Sequence, residues 1–237
     1  MTTIEPPEAV FDATTLVAED LLLLLFSPTS GTIRGEGTTL FTVLAGAVLV
    51  DLALADRVSL EDRGRMRGSR VTVKGTAPTD PILRRAWERI DGRPLEVGSV
   101  IHSIGPYLRE PILDRLVQNG HLRRVKRRIL GLIPTTMLAD GTTSRRAELV
   151  AAVRPLLTDG APANSRTAPL AALLSASDAL PQFHPEIPWP GAVYTNGRRL
   201  QRGQWGAAAA GAVVAQTAAG VIAASFALNI ALSIDDD

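Results

Sequence analysis

The chain has 237 residues, with 25 Lys and Arg against 24 Asp and Glu, three His and no Cys. That length suits one domain, and 46% apolar residues against 21% charged are enough to bury a sizeable core. The lack of cysteine excludes a disulfide scaffold, a thiol nucleophile and any Cys-ligated metal, while 4% aromatics argue against a stacking platform for single-stranded nucleic acid.

Residues 1–14 carry Glu5, Glu8 and Asp12 and read as a flexible acidic N-terminus, where a signal peptide would need a basic start. Residues 16–26 read as a short helix entered through Thr14 or Thr15 as N-cap. Glu19 and Asp20 sit in its first turns, where capping and the helix dipole explain them more simply than paired catalytic carboxylates do. Pro28 and Gly31 end it. In residues 39–55, Leu40, Val43, Leu44, Ala47, Val48 and Leu52 recur at helical spacing. Residues 58–60 and 71–73 flank a basic turn and predict a hairpin. A helix then opens at Asp80-Pro81, with Ile82, Leu83, Ala86 and Ile90 on one face and Arg84, Arg85, Glu88 and Arg89 on the other, and closes at Gly92.

Residues 100–108 and 112–118 are expected as short helices, and Asn119-Gly120 marks a turn. Residues 145–157 and 169–180 read as amphipathic helices separated by a Gly/Pro/Asn-rich loop. Residues 181–191 read as a proline-rich loop anchored by Trp189. The uncharged stretch 204–234 predicts a helix apolar on nearly all sides. Its Ala and Gly content, with Gln216, Thr217, Ser225 and Asn229, favours a buried helix over a membrane span. The expected fold is mainly α: one compact helical domain over residues 1–237, built around that buried C-terminal helix and decorated by short β-hairpins.

Near-neutrality conceals an asymmetry. Residues 57–146 hold 19 Lys and Arg against 9 Asp and Glu, and the rest of the chain holds 6 against 15. A basic middle in an acidic frame points to a polyanionic partner. The densest cluster is Arg123, Arg124, Lys126, Arg127 and Arg128, followed at once by Ile129, Leu130, Leu132 and Ile133. Cations for anionic headgroups beside apolar side chains for the acyl boundary are what a membrane-surface element needs. Alternation around Val125, with Gly131 near the turn, predicts a β-hairpin arm. The alternative is a winged-helix-like nucleic-acid binder, with residues 112–120 as recognition helix and the hairpin as wing. The apolar tip counts against that, so nucleic acid is not the expected partner.

No enzyme signature stands out. There is no phosphate loop, dinucleotide fingerprint or nucleophile elbow. His102, His121 and His184 lack companions at metal-ligand spacing, so neither a metal nor another cofactor is expected.

Several ordered blocks carry a resemblance. They are Leu16-Val17-Ala18-Glu19-Asp20 running into leucines, the block 46–54 ahead of Asp56-Arg57-Val58, Ala77-Pro78-Thr79, Leu116-Val117-Gln118-Asn119-Gly120, and Ala176-Ser177-Asp178. In this order and spacing, over residues 16–226, the chain resembles the Golgi phosphoprotein 3 family, peripheral membrane proteins that bind phosphatidylinositol 4-phosphate. The resemblance implies a helical fold around a buried helix and a hairpin tip used for membrane contact and self-association. It also implies an adaptor role that retains client membrane proteins, and a cytoplasmic protein docked on the inner face of the membrane. In well-studied members a Trp and three Arg form the lipid pocket. The Trp position falls here on Glu36, the Arg positions on Ala45, Pro106 and Arg109, and only Arg109 is kept. Arg34 is a candidate substitute. The resulting expectation is that Arg109, Arg123, Arg124, Lys126, Arg127 and Arg128 meet anionic headgroups while Ile129, Leu130, Leu132 and Ile133 insert.

Overall fold

A computed structural model describes residues 15–63, 68–90, 92–129, 133–188, 191–205 and 213–232. The chain begins with α1 (Val17–Leu25), strands β1 (Phe26–Ser27) and β2 (Thr32–Ile33), and α2 (Thr38–Leu54). Strands β3 (Val58–Asp62) and β4 (Ser69–Val73) follow, then α3 (Pro81–Ile90), β5 (Leu95–Glu96) and α4 (Val97–Ile104). A 3₁₀ turn at Gly105–Tyr107 leads into α5 (Arg109–Gln118) and the hairpin strands β6 (Leu122–Ile129) and β7 (Ile133–Asp140). The remaining helices are α6 (Arg145–Thr158), α7 (Thr167–Ala176), α8 (Gly191–Gln201) and α9 (Val213–Leu232), with a 3₁₀ turn at Leu180–Phe183 between α7 and α8. The fold is mainly α with short antiparallel hairpins, as the sequence leads one to expect.

Three helices form the centre because their sequences leave no polar face to turn outward. α1 is buried at all nine positions, α2 from Val43 through Ala53, and α7 from Thr167 through Leu174. Gly46 is where α2 meets its neighbours: a Cβ there would stand 3.2 Å from Leu173 of α7 and 3.6 Å from the Ser225 hydroxyl of α9. A larger residue would force these helices apart. α9 is the expected apolar C-terminal helix, and its Ala218, Val221, Ile222 and Ser225 are buried where it lies against α2, α4, α7 and β3. Among the described residues no helix is long and apolar enough to cross a membrane.

The strands stay local. β3 and β4 pair with Val58 opposite Val73, and the two-residue β5 adds to the outer side of β4 through Arg70 and Glu96. The long hairpin β6–β7 is a two-stranded sheet of its own, in register from Leu122 opposite Asp140 to Ile129 opposite Ile133.

Several expectations are corrected. Thr15 does not cap α1, and Thr14 lies outside the described residues. The cap position is Leu16, and the first-turn amides are satisfied from α2 instead: Val17 and Ala18 donate to Asp51 Oδ1 and Oδ2 at 2.8 and 3.1 Å. Residues 191–201 form a helix the sequence reading missed, and part of the expected loop before it is the 3₁₀ turn. Trp189 lies outside the described residues.

Candidate anion-binding surface

α3 and α5 start from local signals. Asp80 Oδ1 accepts the amides of Ile82 and Leu83 at 2.9 and 3.1 Å, capping α3. α5 ends at Asn119-Gly120, where Gly120 takes a left-handed φ of 72° and His121 donates back to the Leu116 carbonyl at 2.9 Å. Two further backbone bonds, from Gly141 to His121 and from Thr142 to Gly120, both 3.0 Å, close the hairpin at its base. The hairpin therefore springs directly from the end of α5, with Leu122 buried at the junction.

Arg109 opens α5. Its Nη2 lies 2.8 Å from Glu36 Oε1, and its Nη1 pairs with the neighbouring Glu110. Burial alone would lower the pKa of this guanidinium, but the hydrogen bonds to Glu36 and Glu110 outweigh it and raise it. Glu110 also lies 3.9 Å from Arg124 Nη2, and Arg124 is held at 2.6 Å by Asp114 of α5. The structure thus brings Arg109 and the hairpin's Arg124 together through one carboxylate, and neither offers a bare guanidinium. Arg123 donates from Nε to the Asp140 carbonyl at 3.0 Å. Arg123, Arg124 and Lys126 are all exposed.

Further along the hairpin, the register sets Arg127 opposite Thr135, Arg128 opposite Pro134 and Ile129 opposite Ile133. Leu130 and Leu132 lie outside the described residues. Of the positions equated with the lipid pocket, the fold joins Glu36 to Arg109 but does not leave all four open to a ligand. Ala45 is fully buried inside α2, Pro106 and Glu36 are exposed, and Arg34 is exposed on the β2 side of Glu36.

The least expected arrangement is interior. Glu19 and Asp20 are not surface residues answering a helix dipole: they are only 1% and 2% exposed. Arg115 of α5 bridges Glu19 at 2.9 Å and Asp80 at 2.6 Å. Arg145 of α6 grips Asp20 with both Nε and Nη2, at 2.8 to 3.0 Å, and Arg166 stands 4.0 Å away. Burial pushes both carboxyl groups above their ordinary pKa, with the arginines pulling back. Asp51, also buried and held mainly by the α1 amides rather than by an arginine, is pushed up to about 7. The detectable signal was two acids inside an unbroken apolar run, since a helix buried all round must compensate any charge it carries.

Among the described residues no cluster of His, Asp and Glu is placed to hold a metal ion. No curated protein matches the chain. The family model of Golgi phosphoprotein 3 (GPP34) does match it, over residues 17–217, and the chain therefore belongs to that family.

Proposed function

We propose that this protein docks peripherally on anionic phospholipid membranes through the β6–β7 hairpin, as a binding protein of the cytoplasmic face rather than a catalyst. One observation carries the reading: five cations within Arg123–Arg128 occupy a two-stranded hairpin, directly before the apolar stretch 129–133. Each Lys or Arg near an anionic surface contributes about 1 kcal/mol, and apolar residues at the boundary add to that. The Asp114 carboxylate offsets part of the Arg124 contribution.

Selectivity for one headgroup is not part of the proposal. Glu36, Ala45 and Pro106 replace three of the four residues that the family resemblance assigns to the phosphoinositide pocket. The fourth, Arg109, is already paired with Glu36 and Glu110. Charge density supports general anionic attraction, with self-association through the hairpin and retention of membrane-protein clients as further roles suggested by the family.

Vesicle flotation tests this. The full chain should float with vesicles containing phosphatidylglycerol and stay behind with pure phosphatidylcholine. Recovery should fall as salt rises from about 0.05 to 0.5 M. The R123Q/K126Q/R127Q/R128Q variant should lose most of its recovery. Equal flotation on neutral and anionic vesicles would refute the proposal.

A further inference from the structure

Between α3 and α5 lies a cavity of about 330 Å³, whose lining includes neither Arg109 nor, among the described residues, any residue of the hairpin. That is at the small end of the roughly 300–1,000 Å³ typical of ligand pockets. Ile82, Arg85, Ala86 and Arg89 recur at helical spacing along the wall that α3 provides, while Leu108, Pro111, Arg115 and Gln118 do so on α5. The two ends differ. At the α3 N-terminal end, Arg115 is committed to Glu19 and Asp80, and the lining carboxylate Asp114 is committed to Arg124.

At the other end, Arg85 and Arg89 lie 6.0 and 4.5 Å from the ring centre of Tyr107, which is 53% exposed. Arg89 donates to the Ser103 carbonyl at 3.0 Å, and among the described residues neither guanidinium has a carboxylate within ion-pair distance. Between the ends the floor is apolar, with Ile82, Ala86, Ile104 and Leu108 all buried.

We infer that this cavity binds a small amphiphilic anion, a phosphate ester or carboxylate on an apolar body, with the anion at Arg85 and Arg89 and the body on the Ile82–Ala86–Leu108 floor. Guanidinium donors suit both anions because they present paired N–H groups to two oxygens at once. Both arginines pack on the Tyr107 ring, which restrains them, so less side-chain freedom is lost on binding. The inference stands apart from the hairpin, whose described cations Arg123, Arg124 and Lys126 line no part of this cavity.

Calorimetric titration of the full chain tests it. Octyl phosphate should bind one saturable site, with octanoate competing. Octan-1-ol, which lacks charge, and inorganic phosphate, which lacks the apolar body, should each bind about tenfold or more weakly. The R85Q/R89Q variant changes two exposed residues and should fold as before, yet lose about tenfold or more in affinity for octyl phosphate. R123Q/K126Q should retain that affinity in full. Unchanged affinity in R85Q/R89Q, equal binding of octan-1-ol, or no saturable binding of octyl phosphate would overturn the inference. Competition by phosphatidylcholine vesicles carrying phosphatidic acid would assign the anion to a bilayer lipid, and no competition would assign it to a soluble ester. Either result keeps the chemistry of the site.

Discussion

Arg109 and Glu36, 73 positions apart in sequence, are joined by an ion pair of 2.8 Å between the first residue of α5 and the turn that precedes α2. The arginine that the family resemblance assigns to the lipid pocket therefore already has an anion, supplied by the residue that the same resemblance sets at the pocket's Trp position. The pair is too exposed to matter much for stability, since such pairs contribute about 0–1 kcal/mol. Its effect is on the field: it cancels a positive charge close to the hairpin base.

Replacing Glu36 by Gln should accordingly leave the denaturation midpoint nearly unchanged and strengthen binding to anionic vesicles. Gaining one net positive charge near the surface corresponds to up to about fivefold tighter binding at low salt, falling toward none at high salt. E36Q/E110Q, which frees Arg109 from both carboxylates, should bind more tightly still. Vesicle affinity unchanged in both variants would place Arg109 away from the membrane-facing surface.

The Asp20–Arg145 pair works differently because it is desolvated, with side-chain exposures of 3% and 10%. Arg145→Met should be strongly destabilising, by about 3–5 kcal/mol, because it strands a buried carboxylate with Arg166 at 4.0 Å. Asp20→Asn in the same background should recover part of that loss by removing the stranded charge. Urea unfolding of the two single variants and the double variant gives the coupling directly, and additive losses would show that the pair carries no interaction energy.

Asp51 makes stability depend on pH near neutrality. Its folded pKa of about 7 lies above the ordinary 3.8, because burial opposes the charged form more than the Val17 and Ala18 amides support it. The folded state therefore holds this proton more firmly than the unfolded state does. The stability this contributes is complete below about pH 4 and is lost as pH rises through about 7. Asp51→Asn is neutral throughout, so the wild type should lose stability relative to it between pH 5 and 7, at up to about 1.4 kcal/mol per pH unit. His121, whose pKa is lowered by burial, contributes with the opposite sign, while Glu19 and Asp20 contribute with the same sign. His121 and Glu19 are common to both chains and cancel in the difference, whereas Asp20, whose charge helps raise the Asp51 pKa, cancels only in part. A pH-independent difference would mean that Asp51 does not titrate in this range.

These interior pairs mark where sequence reading stops. Helix α3 and the long hairpin were legible because one apolar face, or one alternation, lies within each segment, and α2 because its apolar residues run on without a breaker. Glu19 and Asp20 were not, since their arginines come from 96 and 125 positions away and a first-turn acid needs no partner to be explained. α8 was hidden by the prolines before it and by Asn196-Gly197 within it. Gly197 is there because a Cβ would fall 2.1 Å from the Ser175 hydroxyl of α7, a packing demand that no local pattern reveals. The basic cluster was legible as a hairpin, but not its tethering to α5 through Asp114 and Glu110.

The base of that hairpin also rests on a glycine. Gly31, in the turn between β1 and β2, has φ +69°, and a Cβ there would lie 2.9 Å from the Leu138 carbonyl oxygen and 3.1 Å from the Met137 methyl group. Gly31→Ala therefore faces both a left-handed backbone, costing about 1–2 kcal/mol, and a collision that pushes β7 away. Gly37→Ala is the collision-free control: its φ is +96° and nothing lies within 4 Å of its Cβ position, so whatever it loses is backbone cost alone. Both variants should unfold at lower urea than the wild type. Only Gly31→Ala should speed amide exchange in the Met137–Ala139 stretch of β7 and weaken flotation on anionic vesicles, because only it shifts the arm that carries the charge. Equal exchange in the two variants would mean that the β1–β2 turn does not position the hairpin.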